Sequence, residues 1–305
     1  MRPTGITIAS VFIAGVLAVS TASVFIRLGL EAAHSTGPGV SLLISALRLA
    51  FATLLLVPAL KGLSKAKIQP GGWAFVTGAG IFLAVHFATW ITSLSYTSVA
   101  ASTVLVNTNP IWVALISWLW FKQAPPPLTL AGIAIAFAGG IVVGIDGQNK
   151  APASNPALGN TLAGLGALAV SLYYLLGREA QRRGFSIGLY AAVAYGIAAV
   201  TLLPWPLVLH TGYLSFPPAF YFWVLLLALI PQLVGHTSFN WAVKWINPVL
   251  VTLVILLEPV GASLLAFLAF GETPGPRVLL GGLVLLAGVA LAATGSSRAN
   301  TKADA

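Results

Sequence analysis

Ten apolar runs follow one another along this chain, separated by short polar joints. They lie near residues 5–29, 38–60, 72–94, 97–121, 128–146, 158–177, 186–209, 219–242, 248–270 and 276–295. A helix crossing the hydrocarbon core of a bilayer needs roughly 20 such residues, so the pattern predicts ten transmembrane helices. Composition excludes the soluble alternative. Hydrophobic residues make up 58% of the chain and charged ones 7%, whereas a soluble domain carries roughly a quarter charged residues. The net charge of +9 does not imply nucleic acid as a partner, because the bases are scattered between apolar runs and form no face. The chain has no cysteine, which excludes disulfides and thiol catalysis. Arg2, an apolar run and the small residues Ser20 to Ser23 imitate a signal peptide. The match of that run to the sixth predicts that it stays as a helix.

That match belongs to an internal repeat, the kind of regularity that sets an architecture. The stretch NTNPIWVALISWLWFKQAPPPLTLAGIAIAFAGGIVV, from Asn107, has the plan of LLEPVGASLLAFLAFGETPGPRVLLGGLVLLAGVALA, from Leu256. An offset of 149 sets Pro110 on Pro259, Pro125 on Pro274, Gly132 on Gly281 and Gly139 on Gly288. An offset of 151 sets Gly15, Ala18-Val19-Ser20 and Arg27 on Gly166, Ala169-Val170-Ser171 and Arg178. The expected organisation is a first five-helix repeat over 1–146, a linker over 147–157 and a second over 158–295. A polar tail over 296–305 is expected to be cytoplasmic and disordered.

Basic residues set the orientation. With the N-terminus cytoplasmic, Arg2, Lys61, Lys65, Lys67, Lys122, Arg178, Arg182, Arg183, Lys244, Arg298 and Lys302 lie inside. Lys150 and Arg277 lie outside, and Arg27 lies near the outer end of the first helix. This is the positive-inside bias. Five helices per half is an odd number, so the second half enters the membrane upside down. Inverted repeats are the signature of secondary transporters, whose sites lie near the midplane between the repeats.

The segments ISALRLAFATLLLVPAL, VAASTVLVNTNPIWVALISWLWFKQ and LLEPVGASLLAFLAFGETP carry a resemblance to a known family. The chain resembles the EamA-type members of the drug/metabolite transporter superfamily over nearly its whole length. A lesser likeness runs to the amino-acid exporters known as YddG. One departure is visible: the turn after the fourth run reads Phe-Lys-Gln where the family often has Gly-Glu, so Glu272 has no partner acid in the first half. The resemblance implies an all-α integral membrane protein with ten helices, in two inverted five-helix repeats around a central cavity, that exports small metabolites.

Polar residues inside the apolar runs are the candidates for chemistry, since an unsatisfied polar group in hydrocarbon costs several kcal/mol. The eighth run carries Gln232, His236 and Asn240 at four-residue spacing, one face of an α-helix. The third carries His86 and Trp90, also four apart, and the 149 offset places His86 one residue from His236. Ser20, Asn109, Trp112 and Tyr174 complete the expected substrate-binding set. Each of these equally fits a role in joining helices. Arg48 and Glu258 each lie ten residues into a run, about 15 Å at helical rise. These intramembrane charges either pair with one another, a structural role, or face substrate or a coupling ion. Gly132, Ala136, Gly140 and Gly144 form a small-residue ladder on the fifth helix, and Gly281, Gly288 and Gly295 one on the tenth. Such faces let helices approach closely, so both helices are read as scaffold or self-association surfaces outside the transport path.

No phosphate-binding loop, zinc motif or nucleophile elbow occurs. No cofactor and no metal are therefore expected, and no enzyme activity. The expected partners are a small-molecule substrate and the lipid bilayer, with monomer and homodimer both open. The reading is a secondary transporter of the bacterial inner membrane, exporting neutral amino acids, aromatic ones included. Export of quaternary ammonium compounds and, from another class, a membrane enzyme with a histidine base are the alternatives.

Overall fold

The computed structural model describes residues 3–35, 37–97, 102, 105–122, 124–146, 155–271 and 275–303. Arg2, Lys150, Glu272, Pro274 and most of the linker lie outside them. Every regular element among the described residues is a helix. Among the described residues, seven helical stretches are long and apolar enough to cross a bilayer: Gly5–Ala33, Pro38–Lys65, Gly72–Ser93, Pro156–Arg182, Ile187–Val208, Pro218–Trp245 and Pro248–Ala269. Pro127–Val142 and Leu279–Gly295 are shorter apolar helices. The fourth run is described as a 13-residue helix, Asn109–Phe121, and half of the segment before it, residues 98–101, 103 and 104, lies outside the described residues.

We number the helices in chain order: α1 Gly5–Ser20, α2 Ala22–Ala33, α3 Pro38–Leu56, α4 Gly72–Ser93, α5 Asn109–Phe121, α6 Pro127–Asp146, α7 Pro156–Arg182, α8 Ile187–Leu202, α9 Pro204–Val208, α10 Pro218–Leu227, α11 Thr237–Trp245, α12 Pro248–Ile255, α13 Glu258–Phe270 and α14 Pro276–Ala303. A 3₁₀-helix, Val57–Lys65, continues α3, and a π-helix, Ala228–His236, joins α10 to α11.

Several spans are broken near their middle, and local chemistry explains where. The first breaks at Thr21, where Thr21 Oγ1 donates to the Ala18 carbonyl at 2.7 Å and Ser20 Oγ to the Val16 carbonyl at 2.8 Å. Hydroxyls that bond back to their own turn bend a helix. The ninth breaks at Leu256 and Leu257, just before Glu258-Pro259. A proline at the head of a helix has no N–H to bond backwards. The fourth breaks equivalently before Asn109-Pro110. Thr108 N donates to Leu105 O, and Ile111 N to Thr108 O; 149 residues on, Leu257 N donates to Val254 O, and Val260 N to Leu257 O. The eighth carries Pro231 inside its π-helix. A proline in mid-helix displaces the regular ladder, and π-turns of this kind concentrate at functional sites.

Contacts between the two halves pair crosswise. A Cβ on Gly15 of α1 would lie 3.1 Å from Ser238 and from Phe239 of α11. A Cβ on Gly166 of α7 would lie 3.2 Å from Thr89 and 3.3 Å from Trp90 of α4. These are the same two contacts under the repeat offsets, with the halves exchanged. The last helices of each half pack on one another. A Cβ on Gly139 would lie 2.4 Å from Leu285 N, and one on Gly288 would lie 2.3 Å from Ala136 N. Gly132 meets Ala292 and Gly295 meets Thr129 at similar range. The ladder on α6 therefore runs through Gly132, Ala136 and Gly139. Gly140, expected in it, has nothing within 4 Å, because the three-residue step from 136 to 139 keeps the stripe on the partner helix. The stretch after Thr294, expected to be disordered, continues α14 as helix to Ala303.

Candidate functional site

The site is built around one ring, Phe87 of α4, which is fully buried. The Arg48 guanidinium, from α3, lies over its face at 4.4 Å. His86 stands beside it at 4.9 Å between ring centroids, Trp90 at 6.5 Å, and His236 meets it edge-on at 5.5 Å. His86 and Trp90, one helical turn apart, stack at 5.7 Å with an interplanar angle of 13°. Tyr174 of α7 closes the group, its hydroxyl 3.5 Å from His236 Nδ1. The two histidines, placed at matching depth by the repeat, are thus bridged by Phe87.

Hydrogen bonds fix these side chains across helices. His86 Nδ1 lies 2.9 Å from the Gly166 carbonyl on α7. A carbonyl only accepts, so Nδ1 carries the proton and Nε2 is left as an acceptor if the ring is neutral. Arg48 is 1% exposed, and its Nη2 donates to Gln232 Oε1 at 2.9 Å. No ion pair joins Arg48 to Glu258 among the described residues; those described are Arg27–Glu31 and Arg182–Glu179. Of the two alternatives for Arg48, direct pairing with Glu258 is not what the structure holds.

Gln232 and His236 lie in the π-helix, not in the α-helix that their spacing suggested. The three residues of the stripe still turn inward. Gln232 meets Arg48, His236 meets Phe87 and Tyr174, and Asn240 meets a second polar layer. There Asn240 Nδ2 donates to Tyr173 Oη and, at 3.2 Å, to Tyr195 Oη. Gln181 Nε2 donates to the Asn240 carbonyl at 2.7 Å. Tyr195 Oη also lies 3.1 Å from Thr237 Oγ1 and 3.5 Å from the Gln232 carbonyl in the π-helix.

Ser20 and Asn109 occupy the helix breaks. Ser20 Oγ lies 3.3 Å from the Glu258 carbonyl, and Ser171 Oγ 3.1 Å from the Asn109 carbonyl. Under the repeat offsets these are one interaction occurring twice. Trp112 is not drawn into the cluster by any described contact; its Nε1 donates to Thr108 Oγ1 of the preceding turn at 3.2 Å.

Phe87, Tyr195, Gln181 and Ser171 belong to this core but were not among the residues singled out as site candidates. Ser171 was visible as the repeat partner of Ser20. Phe87 gave no signal, because a hydrocarbon ring in an apolar helix looks the same facing lipid or facing a site, whereas the Tyr195 hydroxyl could have been read as Tyr174's was.

A bundle of membrane-spanning helices with broken spans around a buried polar and aromatic core defines a membrane transporter. The chain belongs to the EamA-like transporter family, whose model matches residues 6–145 and 157–294, and so to the drug/metabolite transporter superfamily. Relatives include an uncharacterized transporter of Archaeoglobus fulgidus, 25% identical over 202 residues, 65% of this chain and 68% of that one. A probable terminal-alkyne amino-acid exporter of Streptantibioticus cattleyicolor is 26% identical over 192 residues, 62% of each chain. A crystal structure with 20% sequence identity superposes with a TM-score of 0.75, covering 97% of this chain and 99% of that chain. That likeness concerns the fold alone.

Proposed function

We propose that this protein is a secondary exporter of neutral amino acids, aromatic ones included, working by alternating access between two inverted five-helix repeats. The observation that carries the substrate reading is the core around Phe87. Tilted and edge-on rings, at 4.9 to 6.5 Å from it, give an apolar wall for a side chain. Amide, imidazole and guanidinium groups on the same core hold polar ends. The relative from S. cattleyicolor, a probable terminal-alkyne amino-acid exporter, points the same way. Purified protein in liposomes, offered labelled amino acids, sugars and organic cations, tests the reading. Uptake of phenylalanine and leucine is expected. Movement of choline-like cations with no amino acid would sink it.

The crosswise contacts of Gly15 and Gly166, and the duplicated serine bonds at the two helix breaks, support the repeat. An operation that carries each half onto the other's place is a two-fold, and an odd helix number per half lays its axis in the membrane plane. Ten spans with both termini on one side follow from that arrangement, and the basic residues make that side cytoplasmic. Reporter fusions after Lys65 and within the 147–157 linker should report opposite sides of the membrane. Signals from the same side would exclude the inversion.

Glu258 heads α13 at the break and bears no ion pair to Arg48. If this carboxyl carries a proton in exchange for substrate, uptake into liposomes should accelerate with an imposed pH gradient, and Glu258→Gln should remove only that acceleration. A wild-type rate indifferent to the gradient leaves facilitated diffusion as the mechanism.

A further inference from the structure

Arg48 is a buried cation with a neutral partner. Its one described hydrogen bond, Nη2 to Gln232 Oε1, meets an amide that carries no charge. Nε and Nη1 are buried and have no partner among the described residues. Gln232 Nε2 and Trp90 Nε1 are also buried donors with no partner among the described residues. These four buried N–H-bearing atoms belong to one cluster, since Arg48 and Trp90 both lie against Phe87 and Gln232 is bonded to Arg48. A buried donor left unmade costs about 1–3 kcal/mol, more when charged, and a charge inside the membrane is costly unless it is matched. Glu258 acts on Arg48 only at a distance, with no ion pair between them among the described residues, so the unmade donors of Arg48 remain complementary to an oxyanion. A guanidinium is planar and delocalised, and its fork matches a carboxylate in bidentate geometry. One fixed cation suits a single negative charge rather than a doubly charged phosphate.

We infer that Arg48, with Gln232 and Trp90 beside it, is the group that recognises the carboxylate of the substrate. The inference rests on the amino-acid reading above and assigns one end of the substrate within it. The side chain of the substrate then lies along Phe87, Trp90 and His86. It also separates the amino-acid reading from its cationic rival, because a substrate bearing only positive charge would be brought against Arg48.

The test uses the wild-type protein first, so that no variant need fold. Thermal stability in detergent is measured with millimolar phenylalanine, phenethylamine, which lacks the carboxylate, or 3-phenylpropionate, which lacks the amine. Phenylalanine and 3-phenylpropionate are expected to raise the melting temperature and phenethylamine to leave it unchanged. Equal stabilisation by phenethylamine and phenylalanine overturns the assignment, as does the absence of any shift with all three. Stabilisation by 3-phenylpropionate alone upholds the carboxylate site and overturns the amino-acid reading. Arg48→Gln, checked for monodispersity, should then lower phenylalanine transport about thirtyfold or more. It should also erase the preference for phenylalanine over phenethylamine. Arg48→Lys, a point charge without the fork, should recover part of both. A monodisperse Arg48→Gln protein that keeps its preference would overturn the inference while leaving amino-acid export standing.

Discussion

Alanine at Gly139 or at Gly288 is expected to destabilise the protein by about 3 kcal/mol or more, as overpacking at a closed interface does. A methyl group at either position would lie within 2.4 Å of a backbone nitrogen on the facing helix. Backbone cannot turn aside as a side chain can, so α6 and α14 would have to separate. In lipid, helix association depends on such close packing, since no hydrophobic force favours protein over hydrocarbon. Gly140→Ala provides the contrast. Nothing lies within 4 Å of that position, and exchanging glycine for alanine in mid-helix is worth roughly 0.5–1 kcal/mol of added stability. Thermal melting of the three variants in detergent should therefore give shifts of opposite sign at adjacent residues. Equal melting temperatures at 139 and 140 would contradict the interface.

His86→Ala and Trp90→Ala are each expected to lower amino-acid transport about thirtyfold, the effect of losing about 2 kcal/mol at a buried aromatic anchor. Trp90 supplies the stacked face, and His86 holds that stack against α7 through Gly166. Trp112→Ala should act far less, because its described hydrogen bond stays within its own turn. The measurement is initial uptake of phenylalanine into liposomes, normalised to the amount of folded, reconstituted protein. Undiminished transport by the His86→Ala/Trp90→Ala double variant would remove this core from the path.

Most of the candidate core was legible because the membrane makes polarity informative. In an aqueous protein a histidine or glutamine in a helix says little. In a run with a mean hydropathy such as this chain's, +0.95 overall, each polar group must find a partner inside the bundle, and His86, Gln232 and Asn240 all do. Hydrocarbon rings obey no such rule, since lipid and protein interior accept them equally. Phe87, at the centre of the cluster, therefore gave no sign of its position.

The sequence by itself determined that the chain lives in lipid, that it is a duplicated unit, and where its polar residues must turn inward. Those conclusions follow from hydrocarbon's intolerance of unpaired polar groups and from offsets between matching residues, and neither needs coordinates. The tertiary structure decided who pairs with whom. Periodicity gave Arg48 and Glu258 similar depths and so allowed them to bond, but depth does not specify azimuth around a bundle, and Arg48 meets Gln232 instead. The glycine ladder was read at a strict four-residue step, whereas the facing helix selects Gly139 and not Gly140. The π-turn at Pro231 has the same origin. A proline forbids one hydrogen bond, but the sequence does not say how the helix accommodates it; in the structure the π-helix ends where Tyr195 and Thr237 meet the Gln232 carbonyl.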